Sequence, residues 1–191
     1  MVRADAERNI EAILAAGQRL LSGDPGASVA EVAKAAGVGR VTLYGHFPSR
    51  EDLVAAVLTR AIAEADQALD DPELATLPAP DALARLVSSS WEILNRHSRL
   101  FIAADRTLPT ERIRERHAEP LKRVEGLIER GRESGDFRTD VPVSWQVSSF
   151  FALLHTAAQE VEAARLVGGE AGGVLVTSLR SLLSARSPSA G

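Results

Sequence analysis

Apolar residues recur along almost the whole chain at the i, i+3, i+4, i+7 spacing that lines one face of an α-helix, and no segment shows the strict alternation of a half-buried strand. That regularity restricts the chain to an all-α fold. Ile10, Ile13, Leu14, Gly17, Leu20 and Leu21 share the first such face, and Gly23-Asp24-Pro25-Gly26 ends the helix. Ser28 and Glu31 then stand three apart, ahead of Val29, Val32, Ala33 and Ala36. This is the capping-box spacing, in which a hydroxyl and a carboxylate satisfy backbone N–H groups that a first helical turn leaves unpaired. Gly37 supplies the positive φ that a tight helix-to-helix turn requires, and the chain restarts at once as Arg40 to His46.

Phe47-Pro48 stops this third helix, because proline disfavours α geometry in the residue before it. Ser49 caps a fourth, with Glu51 and Asp52 in the first turn, where negative charge suits the helix dipole. Asp70-Asp71-Pro72 and Pro78-Ala79-Pro80 bracket a linker or loop. Further helices are predicted over 81–97, 98–107, 112–133 with a bend at Pro120, 144–167 and 170–186; 135–142 is a turn-rich connection and Gly168-Gly169 a break. The chain is thus divided into 1–48, two short helices on a glycine turn with their supporting helix; 49–70, a connecting helix; and 71–191, a larger helical domain.

Composition narrows the chemistry. The 191 residues contain no cysteine, which removes disulfides, thiol catalysis and cysteine-ligated metal together. No apolar run approaches the ~20 residues of a spanning helix, and the first residues, with Asp5 and Glu7 among arginines, do not read as a signal peptide, so a cytoplasmic protein is expected. The net charge of −4 is not that of a nucleic-acid binder, yet residues 1–60 balance seven basic against seven acidic side chains and leave the acidic excess to the rest. His97, His117 and His155 have no metal-ligand spacing, and no glycine-rich phosphate loop is present. No metal, cofactor or enzymatic activity is expected. Arg112, Arg114, Arg116, Lys122, Arg123, Arg130 and Arg132 alternate with glutamates and read as a solvated, ion-paired face.

Two short helices on a glycine turn make a helix-turn-helix, whose second member can enter the major groove of double-stranded DNA. Arg40 at its start can donate a bidentate pair to guanine, Thr42 can hydrogen-bond a base or phosphate, and Val41 offers apolar contact. Tyr44 and His46 can donate to phosphate oxygens. Leu43 and Phe47, four apart, face inward.

The runs Ser28-Val29-Ala30-Glu31-Val32-Ala33, Ala36-Gly37-Val38-Gly39, Thr42-Leu43-Tyr44-Gly45-His46-Phe47 and Ser49-Arg50-Glu51-Asp52-Leu53 resemble the DNA-binding domain of the tetracycline-repressor (TetR) family over residues 8–60. The resemblance implies phosphate contacts by Tyr44, His46 and Arg50, with Ser28 placed to meet a phosphate from its cap. It also implies a C-terminal ligand-sensing and dimerisation domain, and hence a ligand-responsive regulator, most often a repressor, that binds a palindromic operator as a homodimer and releases it to a small-molecule effector. Gly39 departs from the family's usual serine or threonine cap, and Gly45 stands inside the recognition helix at a cost of ~1 kcal/mol relative to alanine.

Trp91, Phe101, Phe150, Phe151 and His155 are the residues assigned to an effector pocket, with core packing as the plainer reading. The last two long helices carry more apolar residues than one face of a monomer buries, and Leu154, Val161, Leu175, Leu179 and Leu182 are assigned to a dimer interface. The competing reading is a helical enzyme or an interaction module with no DNA role. Such a protein has no need for the row Arg40, Thr42, Tyr44, His46 and Arg50.

Overall fold

The computed structural model describes residues 2–68 and 70–185. Among them are ten α-helices: α1 (Val2–Gly23), α2 (Val29–Ala36), α3 (Arg40–His46), α4 (Arg50–Ala68), α5 (Ala79–Arg96), α6 (Ser98–Thr107), α7 (Thr110–Arg116), α8 (Ala118–Glu133), α9 (Val143–Glu162) and α10 (Gly168–Leu183). A 3-10 turn, Pro72–Ala75, precedes α5. The last helix, expected to run to Arg186, ends at Leu183 with Ser184 as its cap; Arg186 itself lies outside the described residues.

The described residues pack as two compact units, those of 1–65 with 96–117 and those of 66–95 with 118–185, and the chain passes between them at 65–66, 95–96 and 117–118. Helices α6 and α7 therefore pack with the N-terminal helices.

In the first unit, Ile13, Ala16 and Leu21 of α1 are buried with Val32 and Ala33 of α2, Leu43 of α3, and Leu53, Val54, Val57, Leu58 and Ile62 of α4. Gly17 continues the buried face of α1 because α4 lies close: a Cβ built there would stand 2.7 Å from Cγ2 of Val57. Polar ties run over this core. Glu64 of α4 accepts from Gln18 Nε2 at 2.7 Å and from Arg60 Nε at 2.9 Å, while Arg60 also pairs with Glu11 of α1. Arg99 of α6 donates to the Gly23 carbonyl at 2.6 Å, satisfying an acceptor that the end of α1 leaves unpaired. Arg116 of α7 donates through Nε to the Ala55 carbonyl at 3.1 Å.

The second unit is organised around α5, α8, α9 and α10. Leu83, Leu86, Val87, Trp91, Ile128, Phe150, Leu175, Leu179 and Leu183 are buried in it. Residues 135–142 are tied down: the N–H of Arg138 donates to Leu183 at 2.8 Å, that of Ala185 to Asp136 at 3.0 Å, and that of Phe137 to Gly131 at 2.8 Å. Gln146, fully buried, donates Nε2 to the Arg138 carbonyl at 3.1 Å and accepts from Arg132 Nη1 at 2.9 Å.

Four further sequence expectations change. The predicted 112–133 helix is two, α7 and α8, meeting at His117, and Pro120 sits in the first turn of α8, where a missing N–H costs nothing. The helix expected over 144–167 ends at Glu162; Ala164 turns left-handed at φ 56°, and the Arg165 guanidinium folds back onto Glu160 with contacts of 2.6 and 2.7 Å. Gly168-Gly169, expected as the break between the last two long helices, instead forms the first turn of α10. The arginines of α7 and α8 hold backbone carbonyls more than they pair with neighbouring glutamates. Arg130 reaches Leu74 at 2.7 Å and Ala75 at 3.1 Å, Arg132 reaches Val141 at 2.8 Å, and Arg123 pairs with Asp66 at 2.8 Å. The expected linker is thereby pinned, with Arg85 of α5 adding contacts to Asp71 at 2.6 Å and Glu73 at 2.7 Å.

Candidate nucleic-acid interface

The first short helix is fixed at both ends by its own residues. Ser28 Oγ accepts from the Glu31 N–H at 3.3 Å, and the Glu31 carboxylate accepts from the Ser28 N–H at 2.8 Å and its hydroxyl at 2.7 Å. These bonds, the backbone one first, hold the Glu31 carboxyl below the usual carboxylate range. Gly37, at φ 70°, closes α2 by donating to Ala33 and Lys34. The chain then reverses into α3, whose N-cap Gly39 brings no side-chain bond.

Helix α3 turns Leu43 fully into the core, with Phe47 behind it. The opposite side is open. Arg40, Val41, Tyr44 and Gly45 are exposed, Val41 to 88%, while Thr42 and His46 are half-buried at the flank. One turn of helix thus presents a guanidinium, an aliphatic side chain, a hydroxyl and a phenol together. That set can serve base edges and phosphates.

Two residues expected at phosphates are engaged inside the protein. Both donors of Ser28, its hydroxyl and its N–H, go to Glu31, so it offers a phosphate none. The Arg50 guanidinium donates to the Pro25 carbonyl at 3.0 Å and to that of Ala27, and so ties the start of α4 to the loop ahead of α2. Arg50 positions the helix-turn-helix through that loop.

The residues assigned to an effector pocket do not gather at one cavity. Trp91 is buried and donates its indole N–H to the Gly168 carbonyl at 3.1 Å, with Gly172 of α10 against its ring. Phe150 is core. Phe101 lies in the first unit, its ring centroid 6.0 Å from that of His117. Phe151 and His155 stack with centroids 4.0 Å apart, and His155 Nδ1 lies 2.9 Å from the Phe151 carbonyl. A groove of about 250 Å³ in the second unit lies elsewhere, among Leu74, Leu86, Arg123, Leu127 and Arg130.

The dimer assignment also changes. Leu154, Leu175 and Leu179 are covered by the chain's own helices, Leu179 completely, and cannot offer a seam to a partner; Val161 and Leu182 are half-buried. Among the residues that α9 and α10 leave exposed are Trp145, at 62%, with Ala152 and Thr156, and Gly173, Val174 and Thr177, beside the polar Gln159, Glu170 and Arg180. Sequence periodicity held the signal for this: Trp145, Ala152 and Thr156 stand on the face of α9 opposite Val147, Phe150 and Leu154.

An α2–glycine turn–α3 pair, capped at one end and carrying an open polar and aliphatic face at the other, defines a helix-turn-helix DNA-binding domain. Residues 13–57 match the model for bacterial regulatory proteins of the tetR family, so the chain is similar to that family over this domain. It is 33% identical over 87 residues to the HTH-type transcriptional repressor LfrR of Mycolicibacterium smegmatis, a match covering 46% of each chain. It is 45% identical over 60 residues to the HTH-type transcriptional regulator EthR of Mycobacterium tuberculosis, covering 30% of this chain and 28% of EthR. The matches thus span less than half the length of these relatives. The fold extends further: the crystal structure of LfrR in complex with proflavine superposes with a TM-score of 0.64 at 23% identity, over 92% of this chain and 96% of that one. No helix among the described residues is long and apolar enough to cross a membrane.

Proposed function

We propose that this chain is a transcriptional regulator that acts in the cytoplasm as a homodimer, binds a palindromic operator through α3, and releases it when a small molecule occupies the second unit. The outward face of α3 carries this reading: Arg40, Val41 and Tyr44 are exposed beside Thr42 and His46, on a helix whose other side is locked into the core. The matches to LfrR and EthR, both named as transcriptional regulators, support it. Arg40 reads a base, and Tyr44 and His46 hold phosphates.

One recognition helix reads only a few base pairs, so useful affinity needs two half-sites and a two-fold interface. The uncharged residues Trp145, Ala152 and Thr156 on α9, with Gly173, Val174 and Thr177 on α10, give an exposed aromatic and small residues around it that suit packing against a second copy. An effector in the second unit acts through the three chain crossings, and α6 and α7, tied to α1 and α4 by Arg99 and Arg116, carry the displacement to the recognition helices. LfrR, solved with proflavine, supports an effector of small-molecule type.

The test is selection from a randomised DNA duplex with the full chain. A two-fold symmetric site should be enriched, and R40A should relax preference at one position per half-site with a loss of ~1–3 kcal/mol. Failure to enrich any sequence would sink the reading.

A further inference from the structure

Helix α3 has an unexplained residue at its most outward point. With 3.6 residues per turn, Val41 and Gly45 stand one above the other on the side opposite Leu43, while Arg40 and Tyr44 flank them on one side and Thr42 and His46 on the other. The ridge that would go deepest into a groove therefore consists of one valine and one residue without a side chain. Nothing within the chain calls for that glycine. A Cβ built on Gly45 meets no atom within 4 Å, and its φ is not positive, unlike those of Gly37 and Gly135. Glycine is also the poorest residue short of proline for a helix interior. Val41, 88% exposed, is equally unexplained by the free chain, since its apolar surface is covered by nothing.

One arrangement accounts for both. Resting on the DNA-binding reading above, we propose that Gly45 is a depth-setting residue: the missing side chain lets α3 sink into the major groove until Val41 packs on the 5-methyl group of a thymine. Glycine allows a backbone to approach a ligand closely. The thymine methyl is the apolar feature of the major-groove floor, and a valine is fitted to it by contact alone. Arg40 then reaches a neighbouring base edge from the flank, and Tyr44 and His46 rise to the phosphates on either side.

The experiment uses the full chain and the duplex that selection with it enriches. G45A should raise Tm by about 2–4 °C, because alanine fits the helix without contact or strain, and should weaken binding to the selected duplex about tenfold, because the new methyl holds the helix off the floor. The control G126A, an open helical position on α8, should raise stability without altering affinity. Replacing the facing thymine by uracil removes one methyl and should weaken binding about fourfold per half-site, and in V41A the same replacement should change nothing.

A more stable G45A that binds the selected duplex as tightly as the unmodified chain overturns this inference alone, as does a selected site with no thymine whose replacement by uracil matters. A selection that enriches no sequence overturns the DNA-binding reading and this inference with it.

Discussion

The guanidinium of Arg50 donates to the carbonyl oxygen of Pro25 at 3.0 Å, so the first residue of α4 holds the loop that leads into the cap of α2. Ala27 receives a second bond from the same side chain. The charge at the start of α4 is thus directed inward, onto backbone oxygens, and it fixes the entry to the helix-turn-helix.

R50A should therefore act on the fold. Hydrogen bonds from a charged donor contribute ~1.5–3 kcal/mol each, and the loss of both lowers the thermal stability of the first unit. Arg50→Lys, with one ammonium in place of a fork, should recover part of this. Titrating selected DNA across salt concentrations separates the roles: a lost phosphate contact lowers the slope by ~1, whereas this tie predicts an unchanged slope with a lower midpoint of unfolding.

Leu179 and Trp145 should respond in opposite ways to the same charge. Leu179 is fully buried, and L179E places an unpaired carboxylate in the core of the second unit, a penalty of several kcal/mol that unfolds it. Trp145 is 62% exposed, so W145E should leave the circular dichroism intact and abolish the proposed dimer. Sedimentation at micromolar concentration checks this; a folded W145E that remains dimeric excludes the proposed face.

Gly131 of α8 is overlain by the Phe137 ring: a Cβ there would stand 2.1 Å from Cδ2. G131A must displace the ring from a site where Phe137 is almost fully buried, an overpacking that costs ~1–3 kcal/mol. Phe137→Leu should relieve part of the cost in the double variant, and a double-variant cycle in denaturant reads the coupling directly.

His97, at the start of α6, is held below its ordinary value of 6.5, first by burial and then by the adjacent Arg96, against a smaller opposing pull from Glu64. Its Nδ1 is buried without a hydrogen-bond partner. The folded chain keeps the ring neutral while the unfolded chain protonates it, so stability is full above about pH 6.5 and falls as the pH drops through the unfolded value toward the folded one. H97Q should flatten that slope in urea titrations between pH 7 and pH 5. A further decline below pH 4.5 should remain, because Glu64, lowered by Gln18 and by Arg60, loses its stabilising charge only there.

The sequence by itself determined the elements whose causes are local. The Ser28–Glu31 box, the left-handed Gly37 and the Phe47-Pro48 stop each act within a few residues, so the two short helices and their turn were legible as letters, and with them the exposed row on α3. The tertiary structure decided which partner each side chain meets. Hydrophobic periodicity shows that Leu179 faces inward but not whether this chain or a second copy covers it; the core of α5, α8, α9 and α10 does. An arginine beside a glutamate pairs with it in an isolated helix, yet Arg130 and Arg132 reach carbonyls 7 to 56 residues away because the fold brings those loops to them. Contacts of that separation are set by how helices pack, and no local pattern records them.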